Sequence, residues 1–535
     1  MEITSSLPTP TARRPTPLKN VQHWRDDNPT VFTAEQRATT TVLTTGFPES
    51  SIHFFGKALA PFGVKIAPLK TPGNSAYERG KEFGNRGQCN PTYFTVGALV
   101  ERLQQLRDEE GKSAKEIVEQ YAFVTAGGCG PCRMGMYATE YRKALRDSGF
   151  AGFRVMLLSR SGEATALSSG MKLPRAAFVN GFTGIIVGDI LNVLRQRLST
   201  YEAHEGDAER AVRACRDLIE NALAHRRSVL WAAWKCRAIL RAVPVNRLQV
   251  RPRILIQGEF WAKTTEGQGN YDLYRFLKKE GAEPVIETIS DWLVHQIWRA
   301  GWSLRRREDL ARHDAKAGGL KGKSVWKTRL AYAFAEGLLR GIFNLYARVI
   351  GLKDYKITDN KALADLAGKH MDLHLDGGED HMEIGHHIQA VTERKANMIL
   401  SVKPFTCLSS NGVSDGIQPI LAEIYPRSIF VSVETNADAP ANFYSRIQMQ
   451  LFKAKKAAAQ EVEEALARTG QTMEEVQAEL AARPFRHAAT HRSPHVYACD
   501  AANLVLEVGR RRGRKLAAVP VASAAVEAPA GAALA

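Results

Sequence analysis

Short apolar runs rich in β-branched residues alternate along this chain with segments whose apolar residues recur every three or four positions. That alternation is the mark of strands leading into amphipathic helices. The first series predicts strands at 41–45, 64–69, 121–125 and 154–158, with helices at 50–61, 95–108 and 137–147 between them. A helical stretch follows from 182 to about 245, its charged residues interleaved among Leu, Ile, Val and Trp. A second series predicts strands at 253–257, 283–287, 397–402 and 428–433, helices at 271–279 and 416–425, and a long helical insertion at 325–350. Helical segments follow, including the charged amphipathic stretch 461–483. Strand–helix alternation of this kind builds parallel sheets covered by helices. The expected fold class is therefore α/β: two doubly wound, flavodoxin-like parallel-sheet domains with helical insertions and disordered tails.

Composition places the boundaries. A chain of 535 residues that is 44% hydrophobic and 24% charged can build more than one core. Residues 1–38, rich in Pro, Thr and Ser, read as a flexible arm, and 516–535 as a low-complexity tail. Between them lie a first α/β domain at 39–180, a helical segment at 181–250, a second α/β domain at 251–455 and a C-terminal helical segment at 456–515. No membrane span is expected, because the most apolar stretch, 176–194, is interrupted by Asn180 and Asp189. The Arg13-Arg14 pair is followed by a proline-rich segment instead of an apolar core, so a cytoplasmic location is expected. The formal net charge of +17 invites a nucleic-acid reading. No nucleic-acid-binding motif accompanies it, and much of the charge sits in the tails and in 298–329, so solvated basic segments or an anionic ligand are the stronger reading.

Seven cysteines in a long chain with no secretory signal argue for metal binding or catalysis over a disulfide framework. Three loci share one local pattern. Cys89 precedes a helix, Cys129 and Cys132 lie in Gly-Gly-Cys-Gly-Pro-Cys-Arg between a strand and a helix, and Cys407 again follows a strand. Ligands of open α/β sheets collect beyond the carboxyl ends of the strands, so three such loops can converge. Thiolates are soft ligands for an iron–sulfur cluster or zinc, and Arg133 would favour the negative charge of such a centre. Cys215, Cys236 and Cys499 read as structural. A thioredoxin-like pair at Cys129 and Cys132 is the rival reading, but it leaves Cys89 and Cys407 without a role.

The stretch Gly-Pro-Cys-Arg-Met-Gly-Met-Tyr (130–137) resembles the signature of 2-hydroxyacyl-CoA dehydratase subunits and their benzoyl-CoA reductase relatives, in the branch linked to CoA-substrate enzyme activases. Asn-Arg-Gly-Gln-Cys-Asn-Pro-Thr (85–92) resembles that branch's upstream cysteine motif, and Pro-Phe-Thr-Cys-Leu-Ser (404–409) its downstream one. Ile256-Gln257-Gly258-Glu259, Gly377-Gly378-Glu379 and Ile384-Gly385 fall where the family has intervening motifs. Coverage is roughly 41–180 and 250–455; the downstream motif departs from the usual Cys-Met-Pro at Leu408 and Ser409. The resemblance implies a [4Fe–4S] cluster on Cys89, Cys129, Cys132 and Cys407. It also implies low-potential electrons from a separate ATP-hydrolysing iron–sulfur activator protein, an acyl-CoA-type substrate, and a second homologous subunit or homodimer. The reaction implied is a lyase-type dehydration or an ATP-dependent reduction. An electron-transfer component without substrate chemistry of its own is the alternative.

Two further segments are weighed and set lower. Residues 317–324, Ala-Gly-Gly-Leu-Lys-Gly-Lys-Ser, match a relaxed phosphate-binding loop, but a charged helical stretch precedes them where that motif needs a buried strand. His370, His374, His381, His386 and His387 crowd a segment that Gly377-Gly378 makes loop-like. Within it Glu379 and His381 are the candidates for moving protons.

Overall fold

The structure is a computed structural model and describes residues 32–127, 132–158, 173–313, 320, 324–375, 377–379, 381–436, 440–482 and 490–513. Cys129, most of the 317–324 loop, residues 1–31 of the arm and the 516–535 tail lie outside them.

Strands β1 (Thr41–Thr44), β2 (Lys65–Pro68), β3 (Tyr121–Ala126) and β4 (Arg154–Leu158) form an all-parallel sheet in the order β2-β1-β3-β4. Strands β5 (Arg253–Gly258), β6 (Glu283–Val285), β7 (Met398–Pro404) and β8 (Phe430–Thr435) form a second in the matching order β6-β5-β7-β8. The α/β class with two doubly wound sheets and helical insertions is what the apolar pattern gives. All seven residues of β7 are buried, as a strand covered on both faces requires.

Three details depart from or refine the sequence reading. Part of the 1–38 arm is ordered: Phe32 is buried against Val42, Ala122 and Met156, and a Thr33/Gln36 capping box opens the Ala34–Thr39 helix. The 461–483 stretch is divided between two helices, Pro440–Thr469 and Met473–Ala482, which are separated at Gly470. The histidine segment is a loop only in its first part, since His381–Thr392 is a helix with Met382, Ile384 and Ile388 buried.

The helices outside the sheets build a core of their own. Arg175–Tyr201, Asp207–Ala224, Val229–Arg241 and Val325–Ile350 pack together over the Glu49–Leu59 helix. Arg175–Tyr201 is long and apolar enough, by length and composition, to cross a membrane; 72% of its apolar window is buried inside the fold. Its buried Asp189 accepts from Ser51 Oγ at 3.1 Å and from Ser290 N and Oγ at 2.8 and 2.6 Å, which joins three helices at one carboxyl group. Burial pushes that carboxyl up to about 7. Cys215 and Cys236 face each other in the same core, and Cys499 caps the buried Asp500–Arg511 helix; all three are free thiols with structural positions.

The two sheets meet at the carboxyl ends of their strands. Tyr77 and Phe94 of the first unit stack with Trp261 of the second in a chain of ring contacts, at 5.0 Å (Tyr77–Phe94) and 5.3 Å (Phe94–Trp261) between centroids. Asn90 Nδ2 donates to Thr435 O, and Tyr77 Oη to Asn436 O at 3.2 Å. A crevice between such strand ends is where α/β sheets bind ligands.

Candidate functional site

Cys89 is the N-cap residue of the Asn90–Asp108 helix, which Pro91 starts with its fixed φ. The loop before it is held from below by Glu140, a buried carboxylate on the Tyr137–Asp147 helix. Glu140 accepts from Asn85 N and Nδ2 at 3.0 and 2.7 Å and from Gln88 Nε2 at 3.1 Å. Cys132 caps the short turn Arg133–Met136. Arg133 donates to Gly87 O, so its guanidinium ties the Cys132 loop to the Cys89 loop instead of standing free as a counter-charge. Tyr137 Oη lies 3.2 Å from Cys89 Sγ and completes the link.

The second unit brings Cys407 to the same crevice. The turn after β7 is tight: Thr406 has φ +64, a left-handed conformation rare for a β-branched residue and found where function or packing demands it. A five-residue π turn, Ser410–Ser414, follows, and Ser410 Oγ lies 3.2 Å from Cys407 Sγ. Gly378 (φ +67) packs so closely on this loop that a Cβ there would stand 2.6 Å from Ser409 Cβ, which seats Glu379 beside the cysteine turn. Gly258 ends β5 with φ +113 where a Cβ would fall 2.1 Å from Val402 O, and this turn directs Glu259 into the crevice.

The electrostatics bind these loops into one site. Burial pushes the Cys132 thiol up to about 11, with Glu259, Cys89 and Glu379 adding to the rise. Burial pushes Cys407 up to about 12, with Glu259 and Cys132 adding. Burial also raises Cys89, against the hydroxyls of Thr92 and Tyr137. Cys132 thus feels Cys89, Cys407 feels Cys132, and all three thiols feel the half-buried Glu259. Among the described residues no three Cys, His, Asp or Glu side chains stand in metal-holding geometry.

Glu379 belongs to a chain of buried charges of which the sequence singled out Glu379 and His386 but not Lys263 or Glu287. Lys263 Nζ lies 2.7 Å from Glu287 and 3.6 Å from Glu379, and His386 Nδ1 lies 2.6 Å from Glu287. Burial opposes the Lys263 charge, but Glu287 and Glu379 hold its pKa above the ordinary lysine value. Glu287 is held well below the usual range by Lys263 and His386 in spite of burial. Glu379 is pushed up to about 8, by burial first, against Lys263, with Glu287, Glu259 and Glu383 adding to the rise. It is a carboxyl group able to carry a proton near neutrality. Lys403, at the end of β7, is buried and donates to the part-exposed Asp415 and to the buried Gln418, whose Nε2 donates to Glu383 at 2.8 Å.

Glu379 and His381 part company. The His381 ring packs on Trp298 and His295 at 4.4 and 5.3 Å, along a narrow cleft lined by Arg299, Trp302 and Met371. Burial lowers its pKa to about 4, with His386 and Arg299 adding, so it stays neutral.

Buried polar atoms without a hydrogen-bond partner occur throughout the fold, and several of them lie in the cysteine loops and their neighbours. Among the latter are Gln88 Oε1, Arg133 Nε, the Gln257 amide, Thr406 Oγ1 and Ser409 Oγ, while Glu379 Oε2 has only the Lys263 ammonium near it, at 3.6 Å. Buried groups of this kind are few in native proteins and mark places where a further polar group fits. No protein-family model, curated protein or solved structure matches this chain.

Proposed function

We propose that this chain is the iron–sulfur component of a system similar to 2-hydroxyacyl-CoA dehydratase, taking electrons from an ATP-driven partner protein and passing them to an acyl-CoA-type substrate. What supports the reading is that Cys89, Cys132 and Cys407, on loops of both units, all feel the charge of Glu259, with Cys132 also feeling Cys89 and Cys407 feeling Cys132. These cysteines, with Cys129 of the same loop as Cys132, would hold a [4Fe–4S] cluster, which when bound supplies one-electron transfer at low potential. The hydroxyls of Tyr137 and Ser410 stand beside two of the sulfurs and donate to them once they are thiolates. Glu379, its carboxyl raised to about 8, holds a proton near neutrality for a site that couples electron arrival to protonation. Met136, Phe405 and Leu408, exposed next to the cysteine loops, offer apolar contact to whatever docks there. A cytoplasmic location belongs to the same reading.

A second reading, an electron carrier with no substrate chemistry, draws support from burial: Cys89 and Cys407 are 6% and 7% exposed, leaving little room beside them. Protein purified without air is expected to be brown, with about four irons per chain. Cys89→Ala and Cys407→Ala are each expected to lose that iron. A colourless product, or full activity in both variants, would leave only the dithiol reading based on Cys129 and Cys132. A change in the reduced protein's electron paramagnetic resonance spectrum on adding an acyl-CoA separates the first reading from the second.

A further inference from the structure

The Val229–Arg241 and Val325–Ile350 helices lie side by side and bury one face each in a common core. Ala233, Cys236 and Leu240 point inward from the first, and Leu339, Phe343 and Ala347 from the second. Their outer faces are apolar as well. On the first, Trp231 and Trp234 are 55% and 54% exposed, their indoles stacked at 4.8 Å. On the second, Trp326, Leu330, Phe334 and Leu338 recur every fourth residue at 50–69% exposure. Helices of this length run about 1.5 Å per residue, so the stripe on the longer one is an extended surface of the kind that marks an interaction site.

The charges around the stripe are one-sided. The two helices carry seven Lys and Arg residues against a single carboxylate of their own, Glu336, which Arg340 holds at 2.8 Å, while Arg329 is paired with Glu308 of the preceding helix. Lys235 and Lys327 extend over the rings of Trp231 and Trp326, at 5.4 and 5.9 Å from the centroids. The residues leading toward the longer helix include Arg305, Arg306 and Arg307, followed by Glu308 and Asp309. A second copy of the chain would set two basic faces against each other across the seam, at a cost in repulsion. A lipid surface of negative charge matches both features. Trp, Phe and Leu settle at the boundary between acyl chains and headgroups, and Lys and Arg reach the phosphates.

We propose that this face is a peripheral docking surface for anionic phospholipid bilayers, with the Trp326–Leu338 stripe lying in the plane of the interface. Sedimentation with vesicles of phosphatidylcholine alone, and with phosphatidylglycerol added, tests it on the full chain. Binding is expected only with the anionic lipid, falling as salt rises, with a blue shift of tryptophan emission. Phe334→Glu is expected to reduce partitioning about tenfold or more, given what burying one such ring is worth. Lys327→Glu is expected to weaken binding with less loss of the blue shift. Because both side chains are exposed, the melting temperature of each variant should match the parent. Three results would overturn the proposal: no sedimentation at low salt, binding indifferent to Phe334→Glu, or a stable dimer in lipid-free solution that Phe334→Glu splits. The last would assign the face to a second copy.

Discussion

Glu379→Gln tests the buried charge chain through its dependence on pH. The carboxyl has an ordinary value of 4.5 and stands at about 8 in the folded protein. A group raised on folding lends stability in full below its unfolded value and loses it as pH climbs through its folded value. For Glu379 that window runs from pH 4.5 to about 8. At 1.36 kcal/mol per unit, ionising this side chain inside the fold costs roughly 3–5 kcal/mol. The side chain is fully buried, so solvent screening takes little of that away. Glutamine keeps the shape of the neutral acid but cannot ionise. Urea unfolding of parent and variant across that window should show the variant gaining stability relative to the parent as pH rises, and level below pH 4.5. Groups that titrate equally in both proteins cancel in the difference. The attraction of Lys263 does not reverse the sign, because the raised value already contains it. A flat difference, or one in which the parent gains with pH, would mean that Glu379 is ionised in the fold and is no proton store.

Other expectations rest on separate features. Gly258→Ala should lower stability by about 3 kcal/mol or more in urea unfolding, since its φ of +113 and the 2.1 Å approach to Val402 O leave no place for a methyl group. In iron-free protein Cys132 should react with iodoacetamide about a hundredfold more slowly than an ordinary cysteine at neutral pH, because burial lifts its thiol to about 11. Trp261→Ala, which removes the ring stacked at 5.3 Å on Phe94 between the two units, should cost about 3–5 kcal/mol. On the proposed iron–sulfur reading it should also release iron from a protein whose cysteines are all intact; iron content equal to the parent's would show that the crevice does not depend on this contact.

The strands were the most legible part of the chain because parallel strands covered on both faces need nearly continuous apolar runs, and β7 has one. The helices at 137–147, 325–350 and 416–425 are also readable from spacing alone. The Asn74–Phe83 helix was not: its sequence is mostly polar, and only Ala76, Tyr77 and Gly80 are buried, against the helix that follows. The histidine segment misled because Gly377-Gly378 signals a loop, whereas the helix starts just beyond it, at His381. Of the site, the cysteines and Glu379 were visible as residues in patterned loops. Lys263, Glu287 and Lys403 were not, because a lone charge near a strand end has the same sequence appearance on a surface as in a core. Only the pairing of Lys263 with two buried carboxylates distinguishes them.

The matching strand orders explain why these particular loops meet. In each sheet the third strand in sequence lies beside the first, and the loop after that third strand carries a cysteine: Cys132 beyond β3 and Cys407 beyond β7. In both sheets the first and third strands flank the point where the winding reverses, and there the loops diverge and leave a crevice. Bringing two such ends together places one cysteine loop from each unit at the seam without help from any long connection. Cys89 joins them from the amino end of the helix packed beside β3, and Glu259 from the loop after β5. Each unit thus supplies half of the thiols' surroundings, so the chemistry of the crevice is governed by the fit between the units as much as by the residues that line it.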